Sequence, residues 1–265
     1  MDIPDVEIIS VFFDCFMSAD MKIDTFYHYT TIDALVNGIT KEDTEVGKEI
    51  CLRATHSRFV NDPEEIKKGA RLISSLLEQH SPSKSQKEYL RDIMKLYENQ
   101  FLISFSEHED SLPMWNAYSN RSTGIAIGFD RIKSRSQKDV VLKCWYDTTE
   151  FAKEMEYYLN SEKFKIVSYA LIKYMPQMLK HKAFDYEKEI RLIGDFQDVK
   201  VKFREKNGYI IPYKEIYFAK EQIKTITLGP CQYPENAEFS LRRLLDSRGL
   251  KHVKINQSKI PFRNI

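Results

Sequence analysis

The chain has 265 residues, enough to bury a full core, and its 16 Phe, 15 Tyr and 2 Trp against 9 Gly and 9 Pro exclude a disordered or low-complexity class. A formal net charge of +1 supplies no overall field for nucleic acid or an anionic membrane, although a local basic groove stays compatible with it. Cys15, Cys51, Cys144 and Cys231 form no C-x-x-C pair, which argues against a zinc knuckle or a disulfide framework and for a reducing, cytoplasmic setting.

Residues 4–19 suit a short helix with Val6, Ile9, Phe13 and Phe16 on one side, so residues 1–24 are expected to form an N-terminal helical cap. Acidic residues precede its apolar centre where a signal peptide is basic. No segment approaches membrane-spanning length, and no membrane association is expected. Phe26–Thr30 reads as a strand, and a helix near residues 32–37 is expected to stop at Gly38. Cys51–Ala54 reads as a second strand. Asn61 or Asp62 then caps a helix with Pro63 in its first turn, running to about Glu78, and another helix spans residues 85–98.

The alternation in Phe101–Ser106 predicts a strand with Ser104 and Ser106 on one face. A helix over Ser111–Tyr118, a turn at residues 120–122, and strands over Gly124–Phe129 and Val140–Tyr146 follow. Thr148–Leu179 reads as helical, broken at Pro176. Strands then dominate: Glu187–Gly194, Val199–Phe203, Tyr209–Phe218 and Ile223–Leu228, with Asn207-Gly208 as a hairpin turn. A helix over Pro234–Ser247 and a strand over His252–Ile255 close the chain. The expected fold is a single α+β domain over residues 25–265 with a split mixed or antiparallel sheet and helical insertions near 64–98 and 148–180.

There is no G-x-G-x-x-G, no Walker loop, no G-x-S-x-G elbow and no H-E-x-x-H, which removes the Rossmann, P-loop, serine-hydrolase and zincin classes. What remains is a set of polar residues on strands. His28 and Thr30 share one face of the first strand, and a lone strand histidine is more often a hydrogen-bonded structural residue than a catalytic one. Two serines at a strand end commonly satisfy nearby backbone. Trp115 and Tyr118 share a helical face, for which packing is the default. Glu187, Glu189 and Arg191 lie on one strand face, which by default is solvated and faces outward.

Taken together, Tyr27-His28-Tyr29-Thr30, Asn61-Asp62-Pro63-x-Glu65, Ser104-Phe-Ser106 with Asp110, Trp115 and Tyr118, Gly124-Ile-Ala-Ile-Gly128-Phe129 and His181-Lys182-x-Phe184-x-x-Glu187-x-Glu189-x-Arg191 resemble the bacterial family catalogued as domain of unknown function 2971. The order His, Ser-x-Ser, Tyr, Glu-x-Glu is also similar to the signature of ADP-ribosyltransferases. Those enzymes have a small split-sheet α+β fold that binds NAD, as substrate, in a cleft between the sheets. The resemblance implies that His28, supported by Thr30, holds the adenosine ribose, and that Ser104 and Ser106 shape the nicotinamide pocket. Tyr118 would lie on the nicotinamide ring, and Arg191 would bind pyrophosphate or keep Glu189 ionised.

Glu189 would be the catalytic carboxylate, with Glu187 orienting or deprotonating the acceptor. Tyr29 stands where many transferases have Gly, and Phe105 replaces the middle Thr of Ser-Thr-Ser. The expected activity is that of an ADP-ribosyltransferase or NAD glycohydrolase. It fits a toxin or phage-defence effector acting on a protein or nucleic-acid acceptor and held in check by an antitoxin or partner protein. The alternatives are a non-catalytic module reading a protein or nucleotide through His28, Arg58, Asn61, Asp62 and the Glu187/Glu189/Arg191 face, and a metal-dependent nuclease built on His56, Asp62, Glu187 and Glu189.

Overall fold

In the computed structural model, which describes residues 25–41, 49–61, 65–79, 100–119, 123–132, 140–159, 175–194, 196–206 and 208–261, the apolar alternations assemble one mixed, open sheet. Its strands are β1 (Phe26–Thr30), β2 (Glu49–His56), β3 (Phe101–Ser106), β4 (Ile125–Phe129), β5 (Val140–Lys143), β6 (Glu189–Gly194), β7 (Lys202–Lys206), β8 (Tyr209–Ala219), β9 (Ile223–Leu228) and β10 (Lys254–Gln257). The main path runs β10-β9-β4-β1-β3-β2-β8-β7, and β6 adds to β3 with β5 beyond it. The β10–β9 pair is parallel and the other pairs are antiparallel. Five helices accompany the sheet among the described residues: α1 (Ile32–Ala34), α2 (Glu65–Gln79), α3 (Leu112–Tyr118), α4 (Thr148–Leu159) and α5 (Pro234–Ser247).

Period-two alternation gives the sheet two unlike faces. Phe101, Ile103 and Phe105 of β3 join Ile190, Leu192, Leu52, Ile127 and Ile226 in the main core, which Leu241 and Leu245 of α5 complete. That helix ends in a Schellman motif: Leu250 N–H reaches Leu245 O at 2.8 Å and Gly249, at φ 73°, turns the chain. The other face carries Leu102, Ser104 and Ser106. It is covered in part by α3, whose Trp115 packs edge-on against Tyr29 at 4.7 Å and donates to Asp110 at 2.7 Å.

The α+β expectation thus holds as a mixed open sheet with several helices, and β1, β3, β9 and α5 have the bounds read from sequence. Differences have local causes. Gly38 does not stop the first helical segment; it lies inside the π turn Leu35–Ile39, which ends where Thr40 Oγ1 donates to Leu35 O at 2.7 Å. The β5 strand ends at Lys143, and β7 and β10 lie a few residues later than expected. Residues 182–187 form a 3-10 helix, capped by His181 Nδ1 accepting from Ala183 N–H at 3.1 Å. Lys188 then turns the chain at φ 40°, so β6 begins at Glu189 and not at Glu187. The expected helices at 4–19 and 85–98, the Asp62 cap, the turn at 120–122 and Asn207 lie outside the described residues.

Candidate functional site

The site is built on the two edges of β3. One edge pairs throughout with β6, from Phe101↔Gly194 to Ser106↔Glu189. The other edge is divided: β2 takes Phe101 and Leu102, and β1 takes Ser106 opposite Tyr27. Between these contacts the two strands diverge, and no ladder partner opposes Ser104 on this edge. There the His28 ring meets Ser104 O through Nδ1 at 2.9 Å and packs on Phe105 with centroids 5.7 Å apart. Burial holds the His28 pKa below its ordinary value; Arg204 adds to the shift while the Ser104 carbonyl opposes it.

Residues directly opposed in a sheet share a face, so Tyr27, Ser106 and Glu189 form one row across three strands. On this face a charged cluster is buried. Arg191 Nη2 donates to Glu189 Oε2 at 2.8 Å, Lys180 Nζ donates to the same oxygen at 2.7 Å, and Lys180 also pairs with Glu187. Glu187, Glu189, Lys180 and Arg191 are each 3% exposed or less. Burial would raise the Glu189 pKa, but Arg191 and Lys180 overcome it and hold the carboxyl far below the usual range. The Lys180 ammonium, disfavoured by its own burial, is in turn held charged by Glu189 and Glu187.

The outer side of the cluster is less closed. Tyr118 Oη donates to Glu187 Oε1 at 2.6 Å, and exposed Asn61 donates through Nδ2 to the same oxygen at 3.0 Å and to Tyr118 Oη at 2.6 Å. Ser106 Oγ donates to Glu187 O at 2.7 Å, which ties β3 to the turn before β6. Tyr146 Oη accepts from Glu189 N–H at 2.7 Å, and Gln177 O accepts from Arg191 Nη1 at 2.7 Å. Lys180 reaches the cluster because Trp145 and Leu179 form an isolated bridge, with Lys180 N–H donating to Trp145 O at 2.8 Å.

The structure therefore brings together Glu187, Glu189, Arg191, Tyr118 and Ser106. Ser104 lies on the same face but is exposed. His28 and Thr30 fall on the opposite face, since Tyr27 is the residue of β1 that opposes Ser106. The Glu187/Glu189/Arg191 face is not outward and solvated, as its charge suggested, but buried. Of the nuclease set, His56 packs on Phe101 at 5.0 Å, on the core face, and Asp62 lies outside the described residues. Among the described residues no group of three or more His, Cys, Asp or Glu could hold a metal ion.

Sequence reasoning missed Lys180, Tyr146 and Gln177, whose roles depend on the bridge and 3-10 turn that precede β6. It also missed a second set. Arg53 and Arg204 both lie against the Tyr213 ring, 5.1 and 5.7 Å from its centroid, and Arg204 Nη2 donates to Thr55 Oγ1 at 3.2 Å.

Fold and site together define an α+β protein on a mixed open sheet, with a buried carboxylate–cation cluster beside a divided strand edge. Over residues 114–192 the chain matches the model of a family described as a protein of unknown function, DUF2971, and the family resemblance read from the motifs is borne out there. The matched stretch holds Tyr118, Lys180, Glu187, Glu189 and Arg191, and stops short of β1 and β3. No curated protein and no solved structure matches the chain. Among the described residues no helix is long and apolar enough to cross a membrane.

Proposed function

We propose that this chain is an NAD-consuming, ADP-ribosyltransferase-like enzyme whose carboxylate is Glu189. One observation carries the reading: the three segments that bear the resemblance lie on adjacent strands, β1 beside β3 beside β6, in the row Tyr27–Ser106–Glu189. Ser106 and Glu189 of the signature become neighbours on one face, while His28, on the opposite face of β1, reaches the same edge of β3 through its contact with Ser104 O. The ladder along this edge is interrupted at Ser104, where the His28 ring meets the Ser104 carbonyl beside the exposed Ser104 side chain.

The chemistry fits this row. Breaking the bond between nicotinamide and ribose develops positive charge on the ribose, and a carboxylate already ionised and fixed stabilises that charge without reorganising. Lys180 and Arg191 keep Glu189 ionised. The ribose reaches the pair from the side of Asn61 and Tyr118, displacing their contacts with Glu187, which then accepts a proton from the incoming hydroxyl or water. A macromolecular acceptor gives a toxin or phage-defence effector; water gives an NAD glycohydrolase.

The test is nicotinamide release from NAD by purified protein. Glu189→Gln removes the charge and is expected to lower turnover by about a hundredfold or more. Unchanged turnover in that variant overturns the assignment.

A second reading has its own support. Glu189 is buried beneath two cations, and His28 and Thr30 project to the opposite face, which suits a non-catalytic binding module. Folded wild-type protein that neither binds nor cleaves NAD, and that retains a protein or RNA through purification, decides for it.

A further inference from the structure

Arg53 and Arg204 stand where charge balance predicts a counter-ion. They come from β2 and β7, and the registers Thr55↔Tyr213, Arg53↔Glu215 and Arg204↔Ile211 set both on the face that carries exposed Ser104. Both guanidinium groups lie against the one ring of Tyr213, so the cations share a single apolar platform. Among the described residues neither has a carboxylate partner. Arg204 makes one hydrogen bond, to the neutral Thr55 hydroxyl, and its Nε is buried without a partner.

The acid opposite Arg53 does not neutralise them. Glu215 opposes Arg53 across the ladder, yet its oxygens are taken by Lys41 at 3.1 Å, Lys202 at 2.8 Å and Tyr217 Oη at 3.0 Å. Lys206, the next residue on this face of β7, adds a further cation beside Arg204. Burial chiefly, and the charge of Arg53 after it, lower the Arg204 pKa below its ordinary value. Such an arrangement costs stability in the empty protein and becomes favourable when an anion enters.

We propose that Arg53 and Arg204, with Thr55 and the Tyr213 ring, bind the phosphate groups of a nucleotide. Two planar guanidinium forks on one ring match the oxygens of a diphosphate better than a single carboxylate, which one fork satisfies. The position on the sheet is consistent with this ligand. Thr55 pairs with Leu102 and Glu189 with Ser106, so Thr55 and Glu189 lie on opposite edges of β3 at points four residues apart, about 13 Å of strand, with Arg53 two residues beyond Thr55 on β2 and Arg204 two strands further out on β7. Exposed Ser104 lies between those two points of β3. The phosphate site stands on its own geometry; joining it to Glu189 as one nucleotide groove rests on the reading proposed above.

Calorimetry on the full chain with inorganic pyrophosphate, ADP-ribose and adenosine tests the site apart from catalysis. Pyrophosphate and ADP-ribose are expected to compete, to bind more weakly as salt rises, and to bind at least about tenfold more weakly to Arg53→Gln or Arg204→Gln. Arg204→Lys, which keeps the charge but loses the fork, is expected to fall between. Because the empty site holds like charges together, ligand-free Arg204→Gln should melt at or above the wild-type temperature while losing the rise that pyrophosphate causes. A melting temperature lowered by Arg204→Gln with the pyrophosphate-induced rise intact would mark Arg204 as structural and overturn the proposal. So would no pyrophosphate binding by the wild type, or affinities equal in wild type and both glutamine variants. Glu189→Gln is expected to keep its pyrophosphate affinity, so loss of NAD turnover and loss of phosphate binding report on different claims.

Discussion

Two carboxylates drawn from water into one site repel each other unless cations lie between them, and here Lys180 is the residue that does this for both. Its ammonium meets Glu187 and Glu189 together, whereas Arg191 reaches Glu189. Removing one partner of a buried ion group leaves uncompensated charge, which costs more than the intact group contributes. Lys180→Met keeps the bulk of the side chain and removes its charge. It is expected to destabilise the protein by about 3–5 kcal/mol in urea denaturation. A loss near that of an exposed pair, about 0.5 kcal/mol, would mean that the cluster is wetter than its burial implies. Tyr118 and Asn61 hold only the outer oxygen of Glu187, so their loss should disturb the site's opening more than its stability.

At the scale of elements, the cluster depends on how the 3-10 turn Met175–Met178 is clamped against α2. Gly69, Ala70, Ile73 and Leu76 form the buried stripe of that helix, and a Cβ added at Gly69 would stand 2.3 Å from Pro176 O. The close approach fixes the segment whose next residue, Gln177, gives its carbonyl to Arg191. Gly69→Ala should therefore cost about 1–3 kcal/mol by overpacking, although alanine is the better helix former. If the chain consumes NAD as proposed, the variant should also lower that turnover, and a variant as stable as wild type would show that α2 can shift without cost. Dependence of this kind explains what the sequence conceals. Phe101–Ser106 and Pro234–Ser247 were legible because one period governs each whole element. Residues 182–187 were not: the alternation of Glu187, Glu189 and Arg191 runs across a 3-10 turn and a left-handed Lys188, and charge spacing alone does not distinguish that path from a strand. Glu187, Glu189, Arg191 and Tyr118 could be nominated from motif order. Lys180 could not, since the Trp145–Leu179 bridge delivers it, nor could Arg53 and Arg204, which meet only through β2–β8–β7 pairing.

For the whole molecule these groups set how stability responds to acid, and the signs add. His28 and His56 have folded pKa values lowered below their ordinary 6.5, chiefly by burial, so the unfolded chain takes up protons first as pH falls through that value. Stability is then lost below about pH 6.5 in a first, shallow limb. Glu189 and Glu215 follow. Both lie below the ordinary 4.5 despite burial, Glu189 through Arg191 and Lys180, and Glu215, at about 2, through its bonds to Lys202 and Lys41. Their contribution is fully present above about pH 4.5 and declines as pH falls further, through about 2 for Glu215 and lower still for Glu189. Because Glu215 joins β8 to β7 and to Lys41 while Glu189 joins β6 to the turn before it, protonation loosens two separate regions of one sheet. The urea midpoint measured between pH 7.5 and 2.5 should fall in two stages, gently and then steeply. Glu215→Gln should be less stable than wild type at pH 7 and should show a shallower second limb, the two proteins converging as the pH nears 2. A midpoint independent of pH below 4.5, or a Glu215→Gln curve parallel to wild type throughout, would mean that these carboxylates are not held ionised by the cations around them.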